Sequence, residues 1–91
     1  MWPTWRGRKL RPSLKADREM LTLRLDLEVV LLVLEDGFDC SRSPRSAGTV
    51  ERCLRWKGKV VKVVAVPSVV QWNGEEVWLV IHVGEIHAPQ A

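Results

Sequence analysis

Tyrosine is missing from this 91-residue chain, and phenylalanine occurs once, at Phe38. No step can therefore rest on a phenolic hydroxyl. Cysteine appears only as Cys40 and Cys53. Two are too few for a disulfide scaffold. Plain thiols are the expectation for an intracellular chain, with a single bridge as the alternative. No apolar run approaches the roughly 18 residues of a membrane helix, the longest being residues 29–34. The basic start (Arg6, Arg8, Lys9, Arg11) leads into no apolar signal region, so a cytoplasmic protein without membrane contact is expected. Phosphate-loop and dinucleotide fingerprints are missing, as is the serine elbow of hydrolases. Cys40, Cys53, His82 and His87 lack the paired spacing of a closed metal site, so neither metal nor other cofactor is expected.

What is present describes a folded domain. Hydrophobic residues make up 46% and charged residues 27%, which excludes a disordered chain. The length fits one domain near the lower limit for a self-sufficient core. A net charge of +3 permits polyanion binding without requiring it. The wealth of Val, Arg and Glu is compatible with a thermophilic source.

Residues 1–12 hold two tryptophans, four basic residues and two prolines, without periodicity, and read as a flexible basic arm. Ser13 can cap a helix over residues 14–24, with Ala16, Met20 and Leu23 on its dry side. Asp26 can cap a second helix, Leu27–Asp36, which Gly37 ends. Residues 38–48 read as a loop. Three strands follow at 49–56, 59–66 and 76–83, joined by Lys57-Gly58 and by a two-residue Asn73-Gly74 turn. The expected domain spans residues 13–86, with 87–91 a tail. Pairing Trp56 with Lys59 puts Arg52 opposite Val63. Pairing Trp72 with Glu75 puts Ala65 opposite His82, so that His82 joins Val80 on the helix side. Val66, Leu79 and Ile81 then line an apolar opposite face, for which a homodimer interface is the preferred cover.

Among chemistry-bearing residues the basic set leads. Arg42, Arg45, Arg55, Lys57, Lys59 and Lys62 can form a ridge that grips RNA phosphates, with Trp56 stacking on a base. A soluble surface protecting an edge strand explains the same residues about as well. Metal-independent RNA cleavage needs a proton acceptor and cationic support for the phosphorane. Glu51 or His82 can serve as the acid–base group, and Arg52 with Arg45 as the support.

The order of elements, with the runs Lys15-Ala16-Asp17-Arg18-Glu19-Met20, Arg24-Leu25, Leu34-Glu35-Asp36-Gly37, Glu51-Arg52-Cys53 and Glu76-Val77-Trp78-Leu79-Val80, resembles the small domain-of-unknown-function family numbered 4258. Lys15 stands where that family has His. The resemblance spans about residues 15–83 and implies kinship with the RelE/ParE toxin fold. The expected architecture is an α+β domain, two N-terminal helices packed on a three- to four-stranded antiparallel meander. The implied function is a toxin-type protein acting on RNA, as a ribosome-dependent mRNA endonuclease, with an antitoxin-like partner. The rival is a non-enzymatic module that binds protein or nucleic acid through the same sheet.

Overall fold

The computed structural model describes residues 2–40 and 48–86. In chain order these form β1 (Thr4–Trp5), β2 (Arg8–Pro12), α1 (Leu14–Leu23), α2 (Leu27–Asp36), β3 (Phe38–Asp39), β4 (Val50–Trp56), β5 (Lys59–Val69) and β6 (Glu76–Ile86). The strands make one mixed sheet, ordered β1-β2-β6-β5-β4-β3 and curled into a half-barrel. This corrects the expected RelE/ParE-like arrangement of two helices on a three- to four-stranded antiparallel meander. Strands dominate, there are six of them, and β2 runs parallel to β6.

The enlarged sheet comes from the segment expected to be an irregular arm. Arg6 and Gly7 both have positive φ (49° and 79°), the backbone a tight primed hairpin demands, and Trp5 pairs with Arg8 across it. Trp5 and Leu10 are buried, and the Leu10 N–H donates to the Pro3 carbonyl at 2.8 Å. The pattern is hidden in the sequence because β2 carries a single large apolar residue among Arg8, Lys9, Arg11 and Pro12. Guanidinium groups lie on the indoles, Arg6 4.3 Å from the Trp5 ring centre and Arg8 6.0 Å from that of Trp78. Cations of this kind cover apolar surface while keeping their charge in water.

Both helices start as their caps require. Ser13 Oγ accepts from the Ala16 N–H at 3.1 Å, and Asp26 Oδ1 from that of Val29 at 3.0 Å. Gly37 follows α2 where only glycine fits, since a Cβ there would meet the Val33 carbonyl and lie 2.6 Å from the Cys53 carbonyl oxygen. The helices cover one sheet face. Ala16, Met20, Val30, Val33 and Leu34 pack there with Leu10, Val61, Val63, Ala65, Val80 and Val83.

The register departs from expectation in two places. Lys57 (φ 51°) and Gly58 (φ 81°) turn the β4–β5 hairpin and pair Trp56 with Lys59, as expected. The β5–β6 connection is longer than a two-residue turn. Val69 pairs with Glu76, the Val70 N–H donates to the Glu75 carbonyl, and Asn73 Oδ1 accepts from the Glu75 N–H. Asn73 thus caps a wider loop. A bulge then intervenes, with Ala65 opposite Val80 but Val64 opposite His82. Ile81 is the extra residue, so Val80 and Val83 both enter the core and His82 leaves the helix face.

Cys40 and Cys53 are joined, with Cα atoms 5.9 Å apart, which replaces the expected plain thiols. The pairing of Phe38 with Cys53 and Asp39 with Arg52 brings Cys40 to β4 and sets up the bridge. Among the described residues no helix is long and apolar enough to cross a membrane.

Candidate functional site

Where β2 stops, α1 takes its place beside β6. The last parallel pair is Pro12 with Val80, and the Ser13 N–H donates to the Val80 carbonyl at 2.9 Å. The chain then turns into α1, and among the described residues no strand lies on that side of β6 from Ile81 onward. Arg18, Glu19, Thr22 and Leu23 fall on one stripe of α1 by helical spacing. With Val83, Gly84 and Glu85 of β6 they line an open groove of about 480 Å³.

Glu19 bridges helix and strand. Its Oε1 accepts from the Val83 N–H at 3.2 Å, and its Oε2 lies 2.9 Å from His82 Nδ1. That nitrogen is buried, and the carboxylate approaches it off the line of a hydrogen bond, so the contact is one of charge when the imidazole is protonated. The other ring nitrogen lies over Gly84, where a Cβ would come within 3.0 Å of Nε2. The ring is thus held on one side by a carboxylate and seated on a residue with no side chain. An imidazole so placed can take or give a proton through Nε2.

The other expected catalytic residues do not join it. Arg52 lies on the helix face and donates from Nη1 to the Gly37 carbonyl at 3.1 Å, tying β4 to the end of α2. Glu51 points to the opposite face, is buried, and pairs with Lys62. Glu51 and His82 share a row across Val64, but two strand spacings, about 10 Å, separate their backbones. Burial has spent Glu51 on structure.

The basic ridge is only partly available. Lys59 is paired with Glu85 at 3.1 Å, and Lys62 with Glu51. Lys57 sits 5.6 Å from the Trp56 ring centre and is exposed, as is Arg55. Arg42 and Arg45 lie outside the described residues, as does His87. The strand register puts Arg55, Lys62 and His82 on the same face, the one turned away from the helices. Among the described residues no cluster of His, Cys, Asp and Glu could hold a metal ion.

Sequence reasoning missed Glu19, which reads as one more charge on the wet side of α1. Its pairing with His82 depends on a bulge and on a parallel strand that no local pattern announces. Comparisons of the chain with protein-family models, with curated proteins and with solved structures return no match.

Proposed function

We propose that the protein acts on RNA as a small toxin-type endonuclease, in its most specific form a ribosome-dependent one, with His82 as its acid–base group. The observation that carries this reading is the Glu19–His82 pair on the sheet face that also presents Arg55. In the reaction, His82 Nε2 takes the proton of a ribose 2′-hydroxyl as its oxygen attacks the adjacent phosphorus. The bond to the 5′-oxygen breaks, that oxygen gains a proton from solvent, and a 2′,3′-cyclic phosphate is left. Arg55, roughly 16 Å from His82 by the strand register, and Lys57 in the turn beyond it hold phosphates further along the RNA by charge. Glu19 is a positioning residue, since it reaches the substrate only through His82.

Primer extension on a reporter mRNA, translated in an extract with the purified protein added, tests this. New cut sites are expected with the unaltered protein. His82→Ala should lower cleavage roughly 100-fold or more, the usual weight of a proton-transfer group, while RNA retention on a filter persists. Arg52→Ala should still cut and should instead lose about 1–2 kcal/mol of stability with its hydrogen bond to the Gly37 carbonyl. Intact mRNA and unchanged translation would refute the nuclease and leave a binding module.

A further inference from the structure

We propose that the groove between α1 and the free edge of β6 is a docking site for an extended peptide segment of another protein, one carrying an acidic side chain. The backbone states the mode. Val83 lies opposite Val63, yet its N–H donates away from β5, to Glu19 Oε1 at 3.2 Å. Strand periodicity repeats that orientation two residues on, so the N–H and C=O groups of Val83 and Glu85 both face the groove. Backbone groups on an unpaired edge are a template for a further strand, and one side chain now occupies one of these donors.

The opposite wall states the chemistry. Leu23 offers an apolar contact and Thr22 a small polar one. Glu19 lies against His82 and Glu85 against Lys59. The guanidinium of Arg18 has no ion-pair partner among the described residues, so it is the cation in the groove open to an incoming group. An incoming strand that presents a carboxylate to Arg18 meets both features at once. RNA fits this groove poorly, because its phosphates cannot continue the alternating donor–acceptor ladder of a strand edge. Docking does not require the nuclease reading, though the two share Glu19, which an incoming strand would displace from the Val83 N–H; peptide binding and RNA cleavage are read separately.

The test uses the full chain and a fluorescein-labelled, end-capped seven-residue peptide that alternates Val and Thr around a central Glu. Anisotropy should show saturable binding, at least tenfold weaker when the central residue is Lys. Binding should vanish when the amides on one edge of the peptide are N-methylated. Arg18→Glu should invert the Glu-over-Lys preference, and exchange of the Val83 amide hydrogen should slow on binding. Absence of saturable binding would overturn the proposal, as would binding indifferent to N-methylation and to charge. It also falls if an oligouridylate, or a second copy of the chain at higher concentration, protects Val83 where the peptide does not.

Discussion

Replacing Leu10 by alanine should cost about 3 kcal/mol of stability, within the range for emptying a fully buried leucine site. In a domain of this size that lowers the melting temperature by roughly 15 °C, read by circular dichroism. The size of the effect rests on where Leu10 sits. It is completely buried, pairs with Trp78 across the parallel β2–β6 junction, and packs with residues of both helices in one core. If the segment before α1 were the loose arm its composition describes, the same change would cost nothing measurable. Leu14→Ala is the matching control. Leu14 is 80% exposed, and its loss should stay within about 0.5 kcal/mol.

Reduction of the Cys40–Cys53 bridge should cost about 3 kcal/mol as well, by a different route. Thirteen positions separate the two cysteines, and closing a loop of that length removes freedom from the unfolded chain. The folded state loses less, because Arg52 still holds Gly37 and β3 still pairs with β4. A melt with dithiothreitol should therefore fall roughly 15 °C below a melt without it. Cys40→Ser should reproduce the reduced value, and reductant should not shift that variant further. Equal melting temperatures for oxidised and reduced protein would show that the bridge adds no stability. In a compartment that keeps thiols reduced, the domain stands on its apolar core alone.

The parts legible in the sequence are those with short-range causes. Ser13 and Asp26 announce their helices because a cap needs only a side chain and an N–H three residues on. Lys57-Gly58 announces its hairpin because two successive positive φ angles call for such residues. The parts that were not legible depend on distant partners. β2 becomes a strand only because β6 offers it an edge, and nothing in Arg8-Lys9-Leu10-Arg11-Pro12 says so. Likewise β5 runs on through Pro67, which pairs with Trp78 where β5 has no β4 residue on its other side. A missing N–H is tolerated at such an edge. The bulge at Ile81 inverts the parity of β6, so the face assigned to His82 was wrong although the strand itself was found. The candidate site inherits that displacement. His82 was nameable from the sequence, but its carboxylate neighbour is Glu19, from a helix with no visible reason to approach it.

Because β2 lies between β1 and β6, the earliest strands of the chain are joined to the rest of the sheet only by the latest one. During synthesis the β4–β5 hairpin can close soon after it emerges, since its turn is local. Trp5 and Leu10 have no such recourse, since β2 gains its partner β6 only once Trp78 has been made. Pairings between segments this far apart in the chain are the slow ones. Until then the apolar side chains of the first two strands lack their cover in the sheet. The tilted packing of Trp5 against Trp78, ring centres 4.9 Å apart, marks the moment that exposure ends.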